Sequence, residues 1–140
     1  MSRRGRFVVD TNVLISSVIV DGGKAQQSLL KAADNGHYLI SMETFAELRE
    51  VLYRKRFNRF INNRGREQFL QDYLAKCVIV PVTDDLKACS DPKDDMFVDL
   101  AVSGKADFVI TGNLKDFPRS PFKGVQIMSP AGFLEHSLVE

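Results

Sequence analysis

The feature that most constrains the fold is a short apolar run near the N-terminus that ends abruptly in polar residues. Residues 7–16 read Phe-Val-Val-Asp-Thr-Asn-Val-Leu-Ile-Ser. The apolar run predicts a buried strand, and the polar residues after it predict a sharp turn into a helix. Asp10 is therefore expected at the carboxyl end of the strand. In open parallel α/β sheets, ligands bind at that edge.

The rest of the chain alternates short apolar runs with amphipathic segments, which predicts a parallel sheet between two layers of helices. Strands are expected at residues 6–10, 37–40, 77–82, 107–110 and 125–128. Helices are expected at residues 13–20, 26–35, 42–54, 67–76, 95–104 and 133–138. Ser41 and the pair Ser129-Pro130 are expected at helix starts. With 140 residues, 44% of them hydrophobic and 26% charged, the chain is expected to form a single domain, residues 1–140.

The cysteine and histidine content argues against a zinc site. Cys77 and Cys89 have no spacing typical of metal ligands, and they are expected to be free thiols in a reducing cytoplasm. His37 and His136 lie near neither a cysteine nor each other. No apolar run reaches 18 residues, so we expect a cytoplasmic protein without a membrane span. The net charge of +1 leaves a nucleic-acid partner open.

Carboxylates follow or border several of the predicted elements. Asp10 ends the first strand, Glu47 lies at the edge of the apolar arc of the third helix, and Asp95 and Asp99 share one face of an apolar helix. Each has an ordinary alternative explanation, such as a helix cap for Asp10 or a surface ion pair for Glu47. Asp94 is expected to be a first-turn residue that the helix dipole favours.

The fourth predicted strand also ends in polar residues. Thr111, Asn113 and Asp116 follow it and are expected to reach the same sheet edge as Asp10, although Gly112-Asn113 also suits an ordinary turn. Oxygen ligands from four segments, without His or Cys, suit Mg²⁺ or Mn²⁺. Such a cluster supports the hydrolysis of phosphoryl groups.

The order and spacing of these motifs resemble those of the PIN domain, over nearly the whole chain. The motifs are Asp10-Thr11-Asn12-Val13-Leu14, Ser41-Met42-Glu43-Thr44-Phe45-Ala46-Glu47-Leu48, Asp94-Asp95-Met96-Phe97 and Thr111-Gly112-Asn113-Leu114-Lys115-Asp116-Phe117. The chain most resembles the bacterial branch that contains toxins of toxin–antitoxin pairs. The resemblance implies a three-layer α/β/α sandwich around a five-stranded parallel sheet. It also implies an Mg²⁺- or Mn²⁺-dependent endoribonuclease, the toxin of a type II pair.

The resemblance also assigns roles to residues. The first acid of the family falls on Asp10, its glutamate on Glu47 and its third acid on Asp95, and these are the implied catalytic residues and metal ligands. The fourth position, commonly Asp, is Asn113, which puts a second metal in doubt. The resemblance implies supporting roles for neighbouring residues: Thr11 and Asn12 would orient Asp10 or a metal-bound water, Thr111 would support the site, and Asp99 or Asp116 could compensate for Asn113. The implied partners are RNA, a cognate antitoxin and a second copy of the chain in a homodimer.

A basic section separates the second and third predicted strands. Between residues 54 and 66 there are six cationic side chains and no acid, and Phe57 and Phe60 are interleaved with them. The cations are Arg54, Lys55, Arg56, Arg59, Arg64 and Arg66. They could follow a phosphate backbone while the aromatics stack on unpaired bases. A solvated loop with phenylalanines in the core explains the pattern equally well.

Two other functions fit part of the pattern. Because Asn113 replaces an acid, the chain could be a catalytically degenerate module that only binds RNA. A strand-end aspartate also occurs in aspartyl phosphatases and in phospho-acceptor receivers. The phosphatase pattern requires a second aspartate where Asn12 stands, and the receiver pattern requires an acidic pair that Asp10 lacks at its turn.

Overall fold

The computed structural model describes residues 5–138 of the chain. Its centre is one parallel sheet of five strands in the order β3-β2-β1-β4-β5. The strands are β1 (Gly5–Val9), β2 (Gly36–Ile40), β3 (Cys77–Ile79), β4 (Phe108–Ile110) and β5 (Gln126–Met128). The helices are α1 (Thr11–Ile19), α2 (Lys24–Asn35), α3 (Met42–Leu52), α4 (Asn63–Ala75), α5 (Asp95–Ser103) and α6 (Pro130–Glu135). The predicted α/β/α architecture is confirmed.

The middle strand β1 is buried on both faces, because helices cover both sides of the sheet. Phe7 and Val9 pack into a core with buried residues of α1, α2, α3, α4 and α6. Val8 points to the other face and packs with α5. All three side chains are buried. A strand with two covered faces needs a continuous apolar run rather than an alternating one, which explains the sequence Phe-Val-Val.

The strand order places a crevice between β1 and β4. The chain runs from β1 to β2 and β3 on one side, then crosses over to β4 and β5 on the other. Val9 pairs with Ile110 at the carboxyl ends of these two strands. The Asp10 amide donates to the Ile110 carbonyl, 3.0 Å away. The residues that follow β1 and β4 therefore meet at the switch point of the sheet, where α/β proteins bind ligands.

The two helix starts predicted from capping residues are confirmed, whereas other helix starts were predicted too late. Ser41 caps α3 by accepting from the Thr44 amide at 3.1 Å, and Ser129 caps α6, which begins at Pro130 rather than at residue 133. The helix expected from residue 67 begins at Asn63 instead, because the side chain of Asn62 caps it. No helix within residues 5–138 is long and apolar enough to cross a membrane.

Candidate metal centre

Asp10 occupies the position expected for it, directly after β1, and is 4% exposed. One carboxylate oxygen, Oδ1, accepts from the Val13 amide at 2.9 Å and so caps α1. The other oxygen accepts a hydrogen bond from the Thr111 hydroxyl. Burial raises the pKa of Asp10, and the hydrogen bonds from Thr111, Val13 and Gly112 oppose that rise. The Asp10 side chain therefore caps α1 and also belongs to the carboxylate site.

Glu47 is joined to the same edge of the sheet by Thr11. The Thr11 hydroxyl donates to Glu47 Oε1 at 2.5 Å, which fixes the middle of α3 against the start of α1. Thr11 is buried, and Glu47 is half-buried. Charge repulsion from Glu47 also makes a small contribution to the raised pKa of Asp10. Thr11 therefore orients Glu47 rather than Asp10. Asn12, the other residue expected to orient the site, is exposed.

Asp94 lies at the N-terminus of α5, where the helix dipole was expected to favour it, and it also belongs to a group of carboxylates. Its side chain makes no capping hydrogen bond, and its buried Oδ2 atom has no hydrogen-bond partner among the described residues. Burial raises the pKa of Asp94 to about 6, from an ordinary value of 3.8. Repulsion by further carboxylates adds to this rise; the contributing residues are Asp10, Asp91, Asp116 and Glu47. Asp94 therefore faces the carboxylates that the sheet edge collects.

Asp95 and Asp99 lie on one face of α5, as predicted, and each side chain there accepts a hydrogen bond from a backbone amide. Asp95 Oδ1 accepts from the Cys89 amide at 3.0 Å, and Asp99 Oδ1 accepts from the Leu86 amide at 2.9 Å. One turn further on, Ser103 Oγ accepts from the amides of residues 83 and 84, each at 3.1 Å. The three side chains hold the irregular segment 83–89 against α5. Asp95 and Asp99 therefore each anchor this segment through one carboxylate oxygen.

Two further carboxylates complete the cluster. Oxygen atoms of Asp91, Asp94 and Asp116 lie within 4.8 Å of one another. The Asn113 side-chain amide donates to Asp116, and the Asn113 backbone amide donates to Thr111 Oγ1 at 3.0 Å. A chain of hydrogen bonds thus runs from Asp10 through Thr111 and Asn113 to Asp116. Asn113 therefore orients the Asp116 carboxylate.

Asp91 was missed by the sequence analysis. It begins a short 3₁₀ turn, Pro92–Asp94, and its side chain accepts from the Lys93 amide at 3.0 Å. In a 3₁₀ turn, residues three apart lie above one another, so Asp91 and Asp94 share a face. The signal was present as the sequence Asp91-Pro92-Lys93-Asp94, because Asp followed by Pro favours a turn of this kind.

The cluster suits a divalent cation. Its donors are carboxylate oxygens, the ligands that Mg²⁺ and Mn²⁺ prefer. The buried, unpartnered oxygen of Asp94 is an acceptor that a cation would satisfy, since buried polar atoms without a partner are rare. A cation would also offset the mutual repulsion that raises the pKa of Asp94.

Arg66, which was predicted to contact nucleic acid, is buried instead, with 2% of its surface exposed. Its guanidinium donates to the Leu52 carbonyl at 2.7 Å and to the side chains of Asn58 and Asn63 at 3.0 and 3.1 Å. The prediction for Arg66 is therefore wrong, because its guanidinium donates hydrogen bonds inside the protein. The other five cationic side chains of the section are exposed, namely Arg54, Lys55, Arg56, Arg59 and Arg64.

The comparisons with known proteins agree with the fold. No protein of curated function matches the chain in sequence. Among solved structures, VapBC2 from Rickettsia felis, bound to a DNA fragment from their promoter, is similar in fold with a TM-score of 0.57. The alignment covers 89% of this chain and 98% of the other at 13% identity. The sequence profile of the PIN domain matches residues 6–115, which include every carboxylate of the cluster except Asp116. The chain therefore belongs to the PIN domain family.

Proposed function

We propose that the protein is a metal-dependent endoribonuclease that hydrolyses RNA phosphodiester bonds, and that it is the toxin of a type II toxin–antitoxin pair. PIN domains are generally nucleases, and the matched profile spans the cluster's first four carboxylates along the chain. The observation that carries the proposal is the buried oxygen of Asp94, which faces other carboxylates and has no partner among the described residues. A bound cation would satisfy this oxygen.

Four carboxylates would hold Mg²⁺ or Mn²⁺. They are Asp10, Glu47, Asp94 and Asp116, and Asp91 lies beside Asp94 and Asp116 in the same cluster. A bound divalent cation supplies charge neutralisation at the phosphate and a water of lowered pKa. We propose Asp94 as the third acid, in place of Asp95, because Asp94 has an oxygen within 4.8 Å of oxygens of Asp91 and Asp116 and a buried oxygen without a partner among the described residues.

The remaining polar residues fix the carboxylates in position. Thr11 holds Glu47, Thr111 holds Asp10, and Asn113 holds Asp116. Carboxylates that are held before the substrate arrives need no rearrangement when charge develops on the phosphate. Burial of Asp10 beneath this network also keeps bulk water away from one side of the site.

The toxin assignment and the partners are part of the same proposal. The similar VapBC2 structure is a toxin–antitoxin complex, which supports a cognate antitoxin as the protein partner of this chain. We expect a homodimer and a cytoplasmic location, in agreement with the sequence analysis. Co-expression with an antitoxin candidate should relieve growth inhibition if the chain is a toxin.

The experiment is cleavage of a mixed-sequence, single-stranded RNA by the purified protein with Mn²⁺, with Mg²⁺ and with a chelator. Wild type and Asp95→Asn should cleave in either metal, and Asp10→Asn and Asp94→Asn should not. Asp95→Asn is a matched control because asparagine can still accept from the Cys89 amide. Cleavage that persists in Asp10→Asn, or in chelator, would refute a metal centre at this site. RNA binding without turnover in any metal would assign the chain to the degenerate binding modules.

A further inference from the structure

The loop between α3 and α4, residues 54–62, is rigidly held although it contains little regular structure. We call it the basic loop. The buried Arg66 donates to the carbonyls of Leu52 and Arg54 and to the side chain of Asn58, so it fixes the end of α3 and the loop itself. Backbone hydrogen bonds from Phe60 and Ile61 to the Phe57 carbonyl close a turn within the loop. The conformation of the basic loop is therefore set before any ligand arrives.

The basic loop presents one aromatic ring to solvent. Phe57 packs against the core, but Phe60 is 51% exposed. It is the only aromatic residue among the large exposed hydrophobic side chains of residues 5–138. The Arg59 guanidinium lies 5.2 Å from the centre of its ring. Single exposed hydrophobic side chains are common, so what distinguishes Phe60 is that its exposed ring lies among cationic side chains.

The cations around Phe60 are available for phosphate. Arg54 forms an ion pair with Glu50 at 2.9 Å, whereas Lys55, Arg56 and Arg59 form no ion pair with the described residues. No acid occurs between residues 51 and 66 of the sequence. An exposed ring among unpaired cations is the arrangement that binds unpaired nucleotides, because a base stacks on the ring while its phosphates meet the cations.

We infer that the basic loop is a binding platform for single-stranded RNA, on which Phe60 stacks against an unpaired base. Lys55, Arg56 and Arg59 contact the phosphates on either side of that base. A base inside a duplex is already stacked on its neighbours and cannot lie on Phe60, so the platform selects single strands. The inference rests on the proposed function for the choice of RNA, and it adds the class of RNA and a residue that recognises it.

The test is the affinity of the protein for a fluorescein-labelled 12-nucleotide RNA of mixed sequence, measured by fluorescence anisotropy in chelator. Loss of one base–aromatic stack should weaken binding of Phe60→Ala by about 5- to 150-fold. Phe60→Trp should bind like the wild type, because indole also stacks. Leu30→Ala is the matched control, since Leu30 is 58% exposed on α2, and its affinity should be unchanged. The same sequence in an RNA duplex should bind more weakly, with no difference between wild type and Phe60→Ala.

Salt dependence separates stacking from phosphate contact. Phe60→Ala should keep the wild-type dependence of affinity on salt concentration. Arg59→Gln should instead reduce the slope of log affinity against log salt concentration by about one. An unchanged affinity in Phe60→Ala, equal affinity for the duplex, or tighter binding of the matching DNA strand would overturn the inference. An absence of RNA binding would also overturn the inference, and it would favour a protein partner for the basic loop.

The result is independent of cleavage, because chelator prevents turnover. If Phe60-dependent binding occurs without cleavage in any metal, the nuclease proposal fails and the platform stands. If the protein cleaves RNA but Phe60→Ala binds it like the wild type, the platform fails and the nuclease stands. Unchanged thermal unfolding of Phe60→Ala would show that the fold is intact, as its exposure predicts.

Discussion

Replacing Asp94 with asparagine should stabilise the metal-free protein. The pKa of Asp94 rises from 3.8 to about 6, because burial and then four neighbouring carboxylates disfavour its charge. A rise of about two units corresponds to about 3 kcal/mol of destabilisation when the group is ionised. The side chain is partly exposed, so solvent screening reduces this to about 1–2 kcal/mol. For a chain of this size, that is a rise of about 3–6 °C in the midpoint of thermal unfolding.

The pH dependence of this gain has a definite sign. The folded-state pKa lies above the unfolded-state pKa, so the folded state binds more protons between pH 3.8 and about 6, and stability falls as the pH rises through that window. Asparagine carries no charge at any pH. The stabilisation by Asp94→Asn should therefore be complete at pH 7.5 and should be mostly lost at pH 4.

Calorimetry in chelator and in millimolar Mn²⁺ would measure both effects. In chelator Asp94→Asn should unfold at a higher temperature than the wild type, and Mn²⁺ should raise the wild-type midpoint more than that of the variant. Asp95→Asn is the control, and it should respond to Mn²⁺ like the wild type. A variant that is less stable than the wild type in chelator at pH 7.5, or that gains as much from Mn²⁺, would contradict the geometry inferred for Asp94.

Three further substitutions test the contacts around the site and the basic loop. Arg66→Met leaves the buried Leu52 carbonyl without its donor and removes the bond to the part-buried Arg54 carbonyl. One unsatisfied buried group costs about 1–3 kcal/mol, so urea denaturation should show a loss of about that size, and an unchanged free energy of unfolding would disprove the anchoring role. Asp10→Ala should be about 0.5–2 kcal/mol less stable than Asp10→Asn, which can still cap α1, and equal urea midpoints would argue against the cap. Thr11→Val removes the hydrogen bond to Glu47, so it should lower the cleavage rate in Mn²⁺ with little change in RNA affinity in chelator, and an unchanged rate would show that Glu47 needs no support.

The sheet and its ligand edge could be predicted because the relevant signals are local. The apolar run that ends in Asp10 fixes both a strand and its carboxyl end, and Ser41 marks the start of α3 through its own capping bond. Parallel strands then bring their ends to one edge by geometry alone. Thr111 is an example, because it bonds to Asp10 although 100 residues separate the two along the sequence.

Which of two adjacent acids lies beside the other carboxylates could not be predicted, because one residue of helix rotates a side chain by about 100°. The 3₁₀ turn before α5 places Asp94, and not its neighbour Asp95, in a group with Asp91 and Asp116. The apolar periodicity of α5 does not indicate that turn. Arg66 was missed for a related reason, since a cation can be buried wherever backbone carbonyls converge on it, and their convergence depends on how the chain folds around them.

The wide spacing of the site carboxylates along the chain has a consequence during protein synthesis. Asp10 is made early, but Asp94 and Asp116 follow 84 and 106 residues later. At about 5–20 residues per second, a ribosome needs about 5–20 s to cover the longer interval. Throughout that time the growing chain carries only part of its cluster, and Asp10 lacks the hydroxyl of Thr111 that holds it. Under the proposed function, the nuclease is inactive until Asp116 has been made, so a translating ribosome and its messenger are spared during that interval.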